Sequence, residues 1–345
     1  MPPQEQLSER ELRILEAVVQ TYIETAEPAG SQTIARRFGL GVSPATIRST
    51  MSDLEERGYL FHPHTSAGRI PTDRAYRVYV NEIMRLSPPS QEDRQTLQNE
   101  LLRSRNAVEE IIRRAAQVLG ILTRELGVAV APALDELVLE RLELVPVSAE
   151  RLLLVFTLRG GVVRTIFVEV PVRVSAESIQ DVARILNDRL AGLTLLHVRT
   201  TLPERLRDAA APAGSRELLN IFIAEAEEIF DLSSEGNAVV LGSAQMLAGQ
   251  PEFASNVRMR ELLRLTEGRD LLQRALAVRR QTGLSITIGA ENPDTRLNDF
   301  TLVTASYEAG DLKGVIGVMG PTRMPYDKII GLVEHTSRLV EGLLE

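Results

Sequence analysis

SERELRILEAVVQTYIETAEPAGSQTIARRFGLGVSPATIRSTMSDLEERGYLFHPHTSAGRIPTDRAYRVYV, Ser8 to Val80, holds the most specific local pattern in this chain of 345 residues. Ser8 and Glu11 make an S-x-x-E capping box, in which each side chain satisfies an orphan amide at a helix start. Leu12, Leu15, Val18, Val19, Tyr22 and Ile23 then recur at helical spacing until Glu27-Pro28 stops the helix. Ser31 is placed to cap a short second helix carrying Ile34, Ala35 and Phe38, and Gly39 and Gly41 make the turn after it. Ser43-Pro44 opens a third helix, with serine as N-cap and proline at the first helical position, where a missing amide costs nothing. Ile47, Met51 and Leu54 share one face, so Ala45, Thr46, Arg48, Ser49 and Ser52 turn outward. Gly58–Phe61 and Arg69–Pro71 read as a hairpin around a loop from His62 to Gly68, and Pro63 and Pro71 confine it to an edge. Thr72 is placed to cap a fourth helix holding Tyr76, Val80 and Ile83.

Three helices, a two-stranded wing and a helix are the layout of a winged helix-turn-helix, an architecture that binds DNA. The outward face of the third helix is small enough to sit deep in a major groove. Arg48 is suited to guanine, a contact worth roughly 1–3 kcal/mol of discrimination. The hydroxyls of Ser43, Thr46, Ser49 and Ser52 suit phosphates or base edges. Arg69 lies beside the Ser66-Ala67-Gly68 tip, in reach of a phosphate or the minor groove. Bulk charge gives no help: residues 1–87 hold ten arginines against eleven acids. Binding must rest on the placement of Arg36, Arg37, Arg48, Arg69, Arg74 and Arg77. A near-neutral single domain binds weakly, and two copies on a symmetric site compensate, so a homodimer and a palindromic operator are expected. His62-Pro63-His64 has no third ligand nearby and reads as a hydrated loop, not a metal site.

The same residues carry a family resemblance. SPATIRSTMSDLEERGYL, Ser43 to Leu60, and HTSAGRIPTDRAYRVYV, His64 to Val80, closely resemble the N-terminal domain of HrcA, the bacterial heat-inducible transcription repressors. GVMGPTRMPYDKIIGLVEHTS, Gly317 to Ser337, also resembles that family, so the match brackets almost the whole chain. The resemblance implies a GAF-like domain interrupted by an inserted dimerising domain. It implies double-stranded DNA as partner, in the form of the CIRCE inverted repeat before chaperone operons such as groE and dnaK. It further implies that the chaperonin GroEL maintains the active repressor, whose activity falls when heat burdens the chaperonin with unfolded clients. A marginally stable body whose dimer positions two wings is one physical account of that response.

Composition sets the outer bounds. A chain of this length supports two or three domains with a sizeable core. The absence of cysteine excludes disulfides, zinc–thiolate sites and cysteine nucleophiles. A net charge of −8 argues against a general nucleic-acid coat. The start, MPPQEQLSERE, is polar and acidic, and no apolar run reaches the roughly 18 residues of a membrane span, so a cytoplasmic location is expected. Gly314, Gly317 and Gly320 lack the G-K-[ST] or G-x-G-x-x-G context of a phosphate loop. The four histidines, His62, His64, His197 and His335, are scattered, and no nucleophile, base and orienting group can be assembled. No catalytic, cofactor or metal site is therefore expected, and the protein is not expected to be an enzyme.

Beyond the linker at 87–90, Ser87-Pro88-Pro89-Ser90, one long helix is predicted from about Glu92 to Leu126. Leu97, Leu101, Ser104, Val108, Ile111, Ala115, Val118 and Leu122 form a heptad-like seam for a sheet or a partner helix. Strands are predicted at 137–147, 152–157 and 162–170, with Gly160-Gly161 as a tight turn. Helices follow at 175–190, 217–230 and 256–281, then strands at 284–288, 302–307 and 314–319, then a helix from Tyr326 to Leu344. The expected class is α+β and multidomain. Chain order leaves open whether the two strand groups share a sheet; the resemblance implies that they do. The expected division is a winged-helix domain at 1–87, a GAF-like domain at 88–172 and 256–345, and a mainly helical dimerising insertion at 173–255. Arg323, Tyr326, Asp327 and Lys328 are the most polar cluster near the last turn, either a partner-sensing surface or a helix start with a solvated charge pair. The competing reading of the whole is a GAF-type regulator that senses a small molecule.

Overall fold

A computed structural model of the chain describes residues 6–63, 68–103, 108–132, 134–159, 161–170, 174–209, 211–230, 239–280, 282–310 and 312–344. His64 to Ala67, Ser104 and Gly160, singled out above, lie outside them. No helix among the described residues is long and apolar enough to cross a membrane.

The N-terminal unit forms from strong local signals. Helix α1, Glu9–Thr25, opens with the Ser8/Glu11 capping box and ends at Ala26 in the left-handed region. Helix α2, Ser31–Phe38, is followed by Gly39 and Gly41, both at positive φ. Ser31 does not cap it. Gly30 occupies the N-cap without a side-chain bond, and Ser31 is the first helical residue, buried against the unit. Helix α3, Pro44–Glu56, is capped by Ser43, whose hydroxyl accepts from the amide of Thr46. Strands β1, Leu60–Phe61, and β2, Ile70–Pro71, pair as an antiparallel ribbon. Thr72 caps α4, Asp73–Val78, which runs on into a π turn at Tyr79–Ile83.

The 92–126 helix is not one helix. It is a hairpin of α5, Gln91–Leu102, and α6, Val108–Thr123, which pack together. Arg114 lies 3.7 Å from Glu100, a contact that a straight helix with a rise of about 1.5 Å per residue forbids. Arg124 turns left-handed (φ 60°) and ends α6. Leu126 then begins a strand, β3, Leu126–Val130.

That strand belongs to a five-stranded antiparallel sheet. Its other members are β7, Val239–Leu241, β8, Leu284–Ile288, β9, Phe300–Ala309, and β10, Leu312–Pro321, in the order β7-β3-β10-β9-β8. One face meets α6 and the last helix, Tyr326–Leu344; the other meets Leu262, Leu265, Leu272 and Leu276 from the two helices at Asn256–Glu267 and Arg269–Ala277. Because both faces are covered, β10 is apolar and buried from Gly314 to Pro321 instead of alternating, with Lys313 exposed near its start. Helix α6 presses so closely that a Cβ on Gly127 would stand 1.7 Å from the carbonyl oxygen of Ala116.

The strands predicted at 137–170 do not join this sheet, which corrects the one-sheet expectation. β4, Leu139–Ser148, β5, Arg151–Leu158, and β6, Val162–Glu169, form a separate meander. Its inner face packs on α7, Ala176–Leu190, and the helices at Leu195–Leu206 and Ala213–Ala224 around a distinct core. Short hairpins and one-sided burial let the meander complete itself. The chain thus leaves the large sheet after Val130 and returns at Val239.

Candidate nucleic-acid interface

The α3 surface is divided by its own periodicity. Ile47, Met51 and Leu54 are buried, whereas Ser43, Ala45, Arg48 and Ser49 are exposed and Thr46 and Ser52 half-buried. The structure therefore gathers the six α3-region residues predicted from sequence onto one side. Ser43 and Thr46 also share a hydroxyl contact of 3.0 Å.

The flanking arginines divide into two groups. Arg36, at the end of α2, is exposed. Together with Arg48, Arg69, His62 and the first residues of α2 it lines a cleft of about 610 Å³. Arg36 and Arg48 have no ion-pair partner among the described residues. Arg37 pairs with Glu24 and lies over the Phe38 ring. Arg74 lies 4.4 Å from the centroid of Tyr59 and donates to the Arg57 carbonyl at 2.9 Å. Arg69 differs most from its expected placement: its side chain is only 13% exposed and its Nε sits 3.0 Å from Glu55 Oε2. His62 pairs with the other oxygen of Glu55, and no group of metal-ligating residues occurs among the described residues.

Sequence reasoning missed the contacts that hold this unit to the rest of the chain. Arg77 forks onto Glu291 and also donates to the Ile286 carbonyl at 2.8 Å. The Ala290 amide donates to Asp73 at 3.0 Å. Arg323 forks onto Glu252 (2.5 and 3.0 Å) and donates to the Ile23 carbonyl at 2.7 Å, at the C-terminal end of α1 where a cation is favoured. Tyr76 and Tyr326 pack with ring centroids 5.8 Å apart. A single apolar core runs through both parts, from Ile14 to Val340. Arg323 and Tyr326, noted in the sequence only as a polar cluster, thus join the body to α1 and α4. Next to them Glu125 is 2% exposed, and burial pushes its carboxyl well above the usual range although Gln250 donates to it. The hydrogen bonds from this unit to the body join residues 209 to 300 positions apart, and no local pattern marks them.

Residues 109–330 match the family described as "HrcA protein C terminal domain". A protein from Chlorobium phaeobacteroides named "Heat-inducible transcription repressor HrcA" is 38% identical over 340 residues, covering 95% of this chain and 96% of that one. The chain belongs to the HrcA family. A more distant source gives the same result: the Syntrophobacter fumaroxidans protein of that name is 36% identical over 342 residues and 98% of both chains. The overall arrangement of these HrcA-family elements also recurs in a solved structure described as a hypothetical protein at 2.2 Å resolution. It has a TM-score of 0.67, 21% identity, and coverage of 98% of this chain and 99% of the other.

Proposed function

We propose that this HrcA-family protein is a dimeric transcriptional repressor, not an enzyme, whose N-terminal unit is a winged helix-turn-helix with α3 as its recognition helix. The observation that carries the reading is the exposed face of α3. It bears Arg48, free of any acidic partner among the described residues, with Arg36 beside it and hydroxyls around it. Arginine and small hydroxyl side chains on one helix face are suited to base edges and phosphates. Ser43, Ala45, Thr46, Arg48, Ser49, Ser52 and Arg36 are the proposed contacts. Arg37 and Arg74 are engaged within the unit and belong to its rim. The relatives' name, heat-inducible transcription repressor, supports heat-regulated genes as targets; chaperone operons as those targets, the CIRCE inverted repeat as operator and GroEL as the partner that maintains activity are proposed from the family resemblance.

The insertion is better drawn at 131–238 than at 173–255, since that whole stretch separates β3 from β7. Its meander offers a surface for the second copy. Val145, Leu153 and Phe167 stand in one cross-strand row on the outer face, with Val163 two rows further along the same face and Arg151 over the Phe167 ring at 4.5 Å. Val145, Val163 and Phe167 are largely exposed. Such a face is an interface candidate by its contiguity. The small-molecule alternative gains nothing from the large sheet, both of whose faces are filled by side chains, the fully buried Tyr307 among them.

Anisotropy titration of a CIRCE-type inverted repeat, against the same DNA with one half-site scrambled and at fixed salt, tests the reading. Tight binding that collapses with one half-site lost is expected. Equal, weak binding to both DNAs, unchanged when GroEL is added, refutes it.

A further inference from the structure

Glu55 is a carboxylate on the DNA-facing side of the proposed recognition helix. It follows Arg48 and Ser52 at the i, i+4, i+7 spacing that keeps side chains on one helical face. An acid there repels phosphate, so its presence needs a reason. Its two oxygens point to the two legs of the ribbon. Oε1 meets Nδ1 of His62, which directly follows β1, and Oε2 lies 3.0 Å from Nε of Arg69, which directly precedes β2. The second leg is also fixed from the opposite side. The Arg69 amide donates to the Ala29 carbonyl at 3.0 Å, and the Ala29 amide donates to the Arg69 carbonyl at 2.8 Å. A Cβ on Gly68 would stand 2.4 Å from the Ala29 carbonyl, so the strand touches the α1–α2 turn through bare backbone.

We propose that Glu55 is a positioning residue that clamps both ends of the wing loop to the recognition helix, and that Arg69 serves DNA binding through this clamp and not by touching phosphate. The inference rests on the winged-helix reading above. It also reverses the simple electrostatic expectation. Removing an acid from a DNA-facing stripe strengthens phosphate attraction, whereas removing a clamp loosens the geometry that lets helix and wing engage one duplex together.

The sign of the effect decides. Full-length wild type, Glu55→Ala, Glu55→Gln, Arg69→Met and the Glu55→Ala/Arg69→Met double variant are titrated on the inverted repeat at fixed salt, with hydroxyl-radical footprints of each complex. Glu55→Ala is expected to lose roughly tenfold in affinity, with protection lost at the operator flanks and kept beneath α3. Glu55→Gln keeps a polar contact for His62 but loses the charge that faces Arg69, whose Nε lies at ion-pair distance without a hydrogen bond, and is expected to recover only part of that loss. Arg69→Met should match Glu55→Ala, and the double variant should be no worse than either, as for residues acting as one unit. Circular dichroism identifies any variant that fails to fold; Glu55→Gln and Arg69→Met, the milder changes, then carry the comparison. Wild-type or tighter binding by Glu55→Ala, or an additive double variant, overturns the proposal. Failure of the wild type itself to recognise the repeat overturns the winged-helix reading instead, and this inference with it.

Discussion

Arg48 projects from α3 with no carboxylate paired to it among the described residues, whereas Arg37, Arg69 and Arg77 are each paired with one. That asymmetry makes Arg48→Ala the most informative single change. It is expected to cost about 1–3 kcal/mol in specific binding and to leave the circular dichroism spectrum and thermal midpoint unchanged, because the side chain is exposed. Equal operator affinity of wild type and variant would remove α3 from the interface. Glu125 makes the opposite kind of prediction, about stability. Burial raises its carboxyl in the folded chain above the unfolded value of 4.5. Its contribution to stability is therefore fully present below pH 4.5 and is lost as pH rises through the folded value. Glu125→Gln keeps an acceptor for Gln250 and cannot ionise. Its melting midpoint should exceed wild type at pH 8, and the gap should close as pH falls toward 4.5. A constant gap across a pH series would show that ionisation of Glu125 is not involved. At this scale the sequence was informative about α3, because caps and periodicity are local. It gave no sign of the Arg69–Glu55 pair, because nothing beside a loop tip tells that a helix residue fourteen positions upstream supplies the counter-ion.

At the scale of elements, helices were the legible part and strand membership was not. The capping box at Ser8, the Ser43-Pro44 start and the Thr72 cap all appear where the sequence placed them. β3 was hidden because Leu122, Leu126 and the residues before them continue a helical spacing. Only the left-handed Arg124 and the crowding at Gly127 show why the helix cannot go on. The meander was legible as three strands, but a pattern of alternation does not name its neighbours. Gly127→Ala tests the packing that positions β3. The added methyl has nowhere to go beneath α6, and overpacking of this kind costs about 1–3 kcal/mol or more. A clear fall in the thermal midpoint is expected, with lower soluble yield. An unchanged midpoint would mean that α6 and β3 are not in backbone contact.

On the scale of the whole molecule, a proposed reading head with ten arginines against eleven acids is proposed to bind tightly only when held in a fixed relation to a second copy. The contacts from Arg77, Asp73 and Arg323 into the body provide the intrachain half of that relation. The outer face of the meander is proposed to provide the rest. Leu153→Glu with Phe167→Glu places charge in the middle of that face and leaves the inner core untouched. Light scattering after gel filtration should then report a monomer, with operator binding reduced to that of a single module. A variant that remains dimeric would move the interface elsewhere.

The order of the large sheet has a consequence for how the molecule comes into being. Leu126 pairs with Met319, nearly two hundred residues further along the chain, and β10 lies at the centre of the sheet although it is the last strand made. The final helix then covers one face and shares a core with α1 and α4. During translation the N-terminal helices emerge well before β10 and the helix that follows it, so the support that fixes them cannot assemble until those two have been made. Pairings this distant close slowly. Each new chain therefore spends an extended interval with β3 uncovered, and so does each chain that heat has opened. The supply of working molecules is therefore expected to depend on how fast this long-range folding is completed, a quantity separate from how fast the gene is transcribed.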